Sequence, residues 1–187
     1  MVFTAFIIGT AGSGKSQLTS AFVERMRGEK QKVATLNLDP GVASLPYSPD
    51  IDIRDYITIE AVMEEYNLGP NGALLMAADL IAGEIERLKE NIQEMEPDIL
   101  IVDTPGQMEL FAFRVSGPYI AQTISDDPKA IVYLFDSVFS SNPLNYVSNM
   151  LLSAAVHTRF LLPQFHVLSK CDLLPEADLE SVLDWSE

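Results

Sequence analysis

Short runs of apolar residues recur along the chain, and each run ends in small, polar or acidic residues. Such runs cover residues 2–8, 33–38, 99–102, 130–135 and 165–168. Runs that are apolar on both faces and rich in Val and Ile are typical of buried strands in a parallel sheet. The pattern therefore predicts five strands that pair in parallel.

Segments with helical periodicity separate these runs and cover residues 15–27, 58–66, 72–95 and 144–160. Strands that alternate with helices predict an α/β, doubly wound fold, in which helices cover both faces of a mostly parallel sheet. Ligands of such folds bind beyond the carboxyl ends of the strands. The residues that follow each strand are therefore the first candidates for function.

The longest predicted helix, over 72–95, carries a narrow apolar stripe. Its members are Leu74, Ala78, Ile81, Ile85, Leu88, Ile92 and Met95. The spacing favours packing against the sheet, although part of the stripe could form a dimer seam. Residues 40–56 contain Pro46 and Pro49 and are predicted to form a long surface loop near the site.

Length, charge and cysteine content narrow the class of protein. The 187 residues suit one domain, and 12 Lys plus Arg against 27 Asp plus Glu give a formal net charge of −15. Such an acidic chain is not expected to bind nucleic acid directly or to bind an anionic membrane. A single cysteine, Cys171, argues against a disulfide framework or a thiolate zinc site. With no membrane-spanning stretch and no leader pattern in the sequence, we expect a cytoplasmic globular protein.

A glycine-rich segment follows the first predicted strand directly. Its sequence, GTAGSGKS over residues 9–16, matches the Walker A pattern GxxxxGK[ST] in full. Backbone amides of such a P-loop surround phosphate oxygens, Lys15 reaches the β- and γ-phosphates, and the Ser16 hydroxyl ligates Mg²⁺. The predicted nucleotide-binding residues here are Gly12, Ser13, Gly14, Lys15, Ser16 and Gln17.

Acidic residues end the second and third predicted strands. Asp39 lies in NLDPG and Asp103 begins DTPG. An acidic residue at this place is the expected second partner of Mg²⁺, while the amide of Gly106 can contact a γ-phosphate. The predicted metal ligands are therefore Ser16, Asp39 and Asp103. Asp39 is the first candidate for contact with the attacking water or the metal shell, and the roles of the two aspartates can be interchanged.

Gln107 follows Gly106 immediately. A neutral amide at this position can accept a hydrogen bond from the attacking water and donate one to a γ-phosphate oxygen. The sequence therefore predicts that Gln107 orients the nucleophile, beside the catalytic candidates Asp39 and Asp103.

The sequence Ser169-Lys170-Cys171-Asp172 follows the fifth apolar run. In the NKxD motif, whose leading Asn is here Ser169, the Asp carboxylate accepts from the N1–H and N2 amino groups of guanine, and the Lys stem packs along the base. Adenine presents an acceptor at N1, so Asp172 is predicted to select guanine. Cys171 is interpreted as a filler, because no cationic catalytic group adjoins it in the sequence.

A further tripeptide, Gly69-Pro70-Asn71, lies between the second and third predicted helices. Together with GTAGSGKS, NLDPG, DTPGQMELF and SKCD, it makes the whole chain resemble the GPN-loop GTPases, a dimerising class of P-loop GTPases related to signal-recognition and MinD-like proteins. The resemblance implies a P-loop NTPase fold that binds GTP or GDP with Mg²⁺ as cofactor. It also implies hydrolysis of GTP to GDP and phosphate, coupled to conformational change of a homodimer.

The resemblance extends to residue roles and partners. It implies that the GPN loop enters the partner's nucleotide site, with the Asn71 amide near the γ-phosphate or released phosphate. Asp103 and Gln107 then handle the attacking water, while Ser16 and Asp39 hold Mg²⁺. A client related to RNA polymerase is implied by eukaryotic relatives. Family chains usually continue past the base motif, so residues 1–187 are expected to be a single GTPase domain without a C-terminal portion usual in the family.

Two other functions remain open from the residues. A nucleoside or nucleotide kinase shares the phosphate loop and the parallel sheet, but it needs an arginine-rich lid and gives Gln107 and Asp172 no role. A slow, nucleotide-gated assembly chaperone differs from a GTPase in output rather than chemistry. Arg54 and Arg114, the nearest candidates for an arginine finger, are interpreted as surface or ion-paired residues.

Overall fold

A parallel sheet forms the centre of the computed structural model, which describes residues 1–185. Within these residues the strands are β1 (Phe3–Gly9), β2 (Val33–Asn37), β3 (Ile51–Asp52), β4 (Ile99–Asp103), β5 (Lys129–Asp136) and β6 (Gln164–Ser169). They lie in the order β3-β2-β4-β1-β5-β6, and all neighbouring pairs are parallel. The five predicted strands and the α/β doubly wound fold are confirmed.

Helices connect the strands on both faces of the sheet. Over residues 1–185 they are α1 (Lys15–Gly28), α2 (Ile59–Tyr66), α3 (Pro70–Leu80), α4 (Ile85–Met95), α5 (Ser116–Thr123), α6 (Ser137–Ser140), α7 (Pro143–Phe160) and α8 (Glu176–Asp184). The larger apolar core joins one face of the sheet to α2, α3, α4, α5 and α7, whereas α1 covers part of the other face. No helix in this part of the chain is long and apolar enough to cross a bilayer.

The helix predicted over 72–95 is wrong as a single element. A 3-10 turn, Ile81–Glu84, separates α3 from α4, and Glu84 leaves helical geometry with φ −92° and ψ 1°. Helix α3 already begins at Pro70 with Gly69 as its N-cap, because the fixed φ of proline suits a first helical turn. Ile81, Ile85, Leu88 and Ile92 of the apolar stripe pack in the larger core as the spacing favoured, whereas Leu74 is only partly buried outside this core and Met95 is 41% exposed.

The loop predicted over 40–56 contains an element that the pattern missed. Strand β3 and the 3-10 turn Ile53–Asp55 lie inside it. The carboxylate of Asp50 fixes this segment to the sheet, accepting hydrogen bonds from the amide of Thr35 at 2.8 Å and from its hydroxyl at 2.7 Å. The rest of the segment stays irregular and runs over the carboxyl ends of the strands.

Candidate nucleotide-binding site

The P-loop joins the end of β1 to the first turn of α1. Gly12 and Gly14 have φ values of 75° and 92°, a region that strains any residue with a Cβ. At Gly9 a Cβ would stand 2.7 Å from Ser13 Oγ and 3.0 Å from the backbone oxygen of Leu134, so any larger residue would have to displace its neighbours. The backbone amide of Ser13 donates to Thr10 O within the loop, and the side chain of Ser13 is buried.

Lys15 crosses this loop and is only 5% exposed. Its Nζ donates to the carbonyl oxygens of Gly9 at 3.0 Å, Thr10 at 3.1 Å and Gly106 at 3.0 Å. Burial lowers the pKa of Lys15, and the carboxylates of Asp103 and Asp39 act in the opposite direction. The ammonium group therefore joins the loop after β1 to the loop after β4.

Asp103 ends β4 and is 1% exposed. Its Oδ2 accepts from the hydroxyl of Tyr47 at 3.0 Å, and its buried Oδ1 has no partner among residues 1–185. Burial raises the pKa of Asp103, while hydrogen bonds from Ser16 and Tyr47 and the charge of Lys15 lower it. The predicted metal ligands Ser16 and Asp103 thus lie near each other.

Asp39, in the loop after β2, uses both carboxylate oxygens on backbone amides. Oδ2 accepts from the N–H of Gly106 at 2.7 Å and Oδ1 accepts from the N–H of Gly41 at 2.9 Å. Its own amide donates to Asn37 Oδ1 at 3.0 Å. The amide predicted to contact a γ-phosphate is therefore hydrogen-bonded to Asp39.

These groups surround a cleft of about 240 Å³ at the carboxyl ends of the strands. Its lining consists of Gly12, Gly14, Lys15, Ser16, Gln17, Asp39, Val42, Thr104 and Gly106. Gln107 is exposed beside Gly106 and immediately precedes the 3-10 turn Met108–Leu110. The fold thus gathers the phosphate loop, both aspartates and the glycine before Gln107 at one edge.

The predicted base-reading loop is joined to the phosphate loop by Ser169. Its hydroxyl lies 2.7 Å from Ser13 O and 3.1 Å from Phe135 O. Lys170 Nζ forms an ion pair with Asp136 at 2.6 Å. Asp172 lies exposed in the 3-10 turn Cys171–Leu173, and Cys171 Sγ contacts Leu168 O at 3.3 Å.

The GPN tripeptide lies outside the cleft of its own chain. Asn71 is exposed at the second position of α3 and is not among the residues that line the cleft. The arginine finger candidates are both ion-paired: Arg54 with Asp52 at 2.6 Å, and Arg114 with Asp79. This agrees with their interpretation as ion-paired residues.

Sequence reasoning missed Tyr47 and the support behind Asp39. Buried Asn37 donates from Nδ2 to Asp52 Oδ1 at 2.9 Å, and Arg54 donates to Val42 O at 3.0 Å. Asn37 opens the quoted NLDPG stretch and was detectable as a polar residue in an apolar strand. Tyr47 carried no such signal, since a tyrosine in a proline-containing loop is ordinary.

Within residues 1–185, no group of three or more Asp, Glu, His and Cys side chains is arranged to hold a metal ion. Mg²⁺ keeps several waters and takes one or two carboxylates plus substrate phosphates, so it does not need such a group. The unpartnered Oδ1 of Asp103 beside Ser16 fits this mode of binding.

The chain spans about half the length of the first curated relatives that it matches. GPN-loop GTPase QQT2 of Arabidopsis thaliana is 35% identical over 97% of this chain and 48% of its own length. GPN-loop GTPase 1 of Saccharomyces cerevisiae is 36% identical over 91% and 45%. GPN-loop GTPase PAB0955 of Pyrococcus abyssi is 36% identical over 92% of this chain and 69% of its own length.

Solved structures give the same relationship. The apo form of the Pyrococcus abyssi GTPase matches with a TM-score of 0.88 and 33% identity, covering 99% of this chain and 74% of that chain. MinD of Aquifex aeolicus, at 12% identity and a TM-score of 0.50, shares the fold alone. The model of the family described as "Conserved hypothetical ATP binding protein" matches residues 7–187. With this match and a relative at 36% identity covered over 69% of its length, the chain belongs to the GPN-loop GTPase family.

Proposed function

We propose that this protein binds GTP with Mg²⁺ and hydrolyses it to GDP and phosphate. The observation that carries the proposal is that Lys15, Ser16, Asp39 and Gly106 line one cleft, with the buried carboxylate of Asp103 near them. Relatives named as GTPases support it, whereas the family description names ATP. Calorimetric titration with GTP and with ATP, each with Mg²⁺, separates the two bases, and release of free phosphate tests hydrolysis.

The backbone of residues 12–16 and the ammonium of Lys15 would bind the β- and γ-phosphates. Ser16 and Asp103 would hold Mg²⁺, with the partly exposed Asp39 near them, and the ion neutralises phosphate charge when it is bound. For a γ-phosphate oxygen to accept from the Gly106 amide, the carboxylate of Asp39 must leave that amide. Asp39 is then available to the attacking water.

Gln107 would orient this water, because it is exposed and directly follows Gly106. Its side-chain oxygen would accept from the water and its nitrogen would donate to a γ-phosphate oxygen. The water oxygen bonds to the γ-phosphorus as the bond to the β–γ bridging oxygen breaks. The lost water proton passes to the released phosphate.

Gln107→Ala protein is expected to bind GTP normally and to hydrolyse it about 100-fold more slowly, because positioning a nucleophile acts on the transition state rather than on ground-state binding. Single-turnover phosphate release measures the rate and calorimetry measures the affinity. Gln93→Ala, an exposed glutamine on α4, is the matched control. Hydrolysis at the wild-type rate in Gln107→Ala would transfer the role to Asp39 or Asp103.

We propose that Asp172 reads guanine. Ser169 supports this role because its hydroxyl fixes the end of β6 against the phosphate loop, on which the nucleotide would lie. The exposed carboxylate of Asp172 is open to a base. The Nζ of Lys170 is fixed by its ion pair with Asp136. In the proposal the stem of Lys170 packs along the base.

Asp172→Asn protein is expected to bind GTP more weakly and to gain affinity for xanthosine triphosphate. The amide offers one acceptor and one donor where the carboxylate offers two acceptors, which matches the added carbonyl of xanthine. Competition binding with both nucleotides measures the change. The control is Asp126→Asn, which changes an exposed carboxylate before the amino end of β5 and should alter neither affinity. An unaltered guanine preference in Asp172→Asn would show that Asp172 does not read the base.

We also propose that hydrolysis is coupled to conformational change of a homodimer. Asn71 is exposed at the start of α3 and lies outside the cleft of its own chain, as a residue delivered to a second copy would be. Isologous dimers place such a residue in both sites at once. A client related to RNA polymerase would then sense the dimer's state.

Two alternative outcomes are distinguishable. A nucleotide kinase would release no free phosphate without an acceptor, and its lid would need free arginines, whereas Arg54 and Arg114 are ion-paired. A slow assembly chaperone would hydrolyse little and capture its client in only one nucleotide state. The single thiol of Cys171 suits a reducing compartment, so we propose a cytoplasmic location for the protein whichever activity it has.

A further inference from the structure

A tyrosine from the segment between β2 and β3 reaches the acidic end of β4. The hydroxyl of half-buried Tyr47 donates to Asp103 Oδ2 at 3.0 Å. The Tyr47 hydroxyl therefore donates a hydrogen bond to a carboxylate that is itself nearly inaccessible to water.

Asp103 divides its hydrogen bonds in a way that matters for a metal ion. Tyr47 donates to Oδ2 of its carboxylate, and Oδ1 remains buried without a partner among residues 1–185. A buried carboxylate oxygen without a partner is costly unless something else satisfies it. Because Tyr47 fixes Oδ2, the orientation of Oδ1 is set by a residue outside the P-loop and outside β4.

The segment that carries Tyr47 is held at two points before the tyrosine. Immediately before it, Pro46 O accepts from Ser20 Oγ of α1 at 3.2 Å. Nearer β2, Val42 O accepts from the Arg54 guanidinium at 3.0 Å. These contacts fix the backbone before Tyr47, so its ring is held more firmly than a side chain on an unattached surface loop.

We propose that Tyr47 is a positioning residue for the Mg²⁺ of a bound nucleoside triphosphate. It acts through Asp103 and links the segment 40–50 to occupancy of the metal site, without contacting the nucleotide. This inference rests on the proposed nucleotide site. Removal of a residue that hydrogen-bonds a metal-binding carboxylate typically lowers metal affinity by about 10-fold to 100-fold.

Tyr47→Phe keeps the ring and removes only the hydroxyl. We expect the Mg²⁺ concentration that half-maximally slows release of a fluorescent, non-hydrolysable GTP analogue to rise about 10-fold, because an outer-shell support is lost. In EDTA, the variant and the wild-type protein should bind the analogue equally. Hydrogen exchange of residues 40–50 should slow on adding Mg²⁺ and nucleotide to the wild-type protein and slow less in the variant.

Tyr56→Phe is the matched control, because its hydroxyl contacts Asn91 on α4 rather than the cleft. It should leave the Mg²⁺ dependence unchanged, and thermal unfolding reports whether either variant is folded. Equal affinity in EDTA with an unaltered Mg²⁺ dependence in Tyr47→Phe would overturn the role of Tyr47 alone. Failure of the wild-type protein to bind the analogue under any condition would overturn the proposed function and this inference with it.

Discussion

Lys15→Ala protein is expected to lose about 100-fold in affinity for GTP, since hydrogen bonds to a charged group contribute up to about 3 kcal/mol and each 1.4 kcal/mol is about tenfold. Lys15 is the cation that joins the phosphate loop to the loop after β4. The chain carries a formal net charge of −15, so no diffuse positive field replaces it. Calorimetric titration of GTP measures the loss.

Lys32→Ala is the control for charge alone, because Lys32 is exposed outside the cleft. It removes one positive charge and should leave the affinity for GTP unchanged. Thermal unfolding of Lys15→Ala is needed beside it, since the substitution strips three carbonyl groups of their donor. GTP affinity at the wild-type level in a folded Lys15→Ala protein would contradict the phosphate-loop assignment.

Asn71→Ala protein is expected to bind GTP almost normally and to hydrolyse it poorly, and mixing it with Lys15→Ala protein should restore hydrolysis. In the mixed dimer, the Asn71→Ala subunit holds the only site able to bind GTP. That site receives an intact Asn71 from its partner. With equal amounts and free exchange, about half of the dimers are mixed and each has one working site, so about a quarter of wild-type activity should return.

The control replaces Lys15→Ala by the double variant Lys15→Ala/Asn71→Ala. Mixed dimers then form in the same proportion, but no intact Asn71 reaches the competent site, so activity should stay low. Subunit exchange is followed independently by fluorescence transfer between labelled protomers. If exchange occurs and neither mixture regains activity, Asn71 does not act across the dimer and the tripeptide serves only to begin α3.

The sequence predicted the sheet well because its signals were local. A buried parallel strand must be apolar on both faces, and β4 and β5 satisfy that condition almost throughout. The P-loop was equally visible, because its glycines are required by positive φ at Gly12 and Gly14. Neither feature depends on contacts with distant parts of the chain.

Elements held by distant contacts escaped prediction. Strand β3 has only two residues, and Asp50 binds it to Thr35, fifteen positions away. Helix α5 contains Gly117, where a Cβ would come 1.8 Å from Phe111 O, so packing rather than propensity places it. The break between α3 and α4 also escaped prediction, because the apolar spacing runs through Ile81 without interruption and gives no local signal for a break.

The candidate site divides in the same way. Motif spacing identified Lys15, Ser16, Asp39 and Asp103 as neighbours, because each follows or ends a strand at one edge of the sheet. It gave no means to see which partner each aspartate takes. Asp39 binds a glycine amide and Asp103 binds a tyrosine hydroxyl, and both bonds join residues more than fifty positions apart.

In our proposal, the contact between Asp39 and Gly106 and a phosphate bound at the same amide are mutually exclusive, which gives the loop after β2 two states. The one amide hydrogen of Gly106 donates either to the carboxylate or to a phosphate oxygen, so in our proposal the γ-phosphate competes with Asp39. That phosphate is the only group by which GTP differs from GDP. In our proposal, a protein that binds residues 40–50 would therefore distinguish the GTP-bound from the GDP-bound state without contacting the nucleotide.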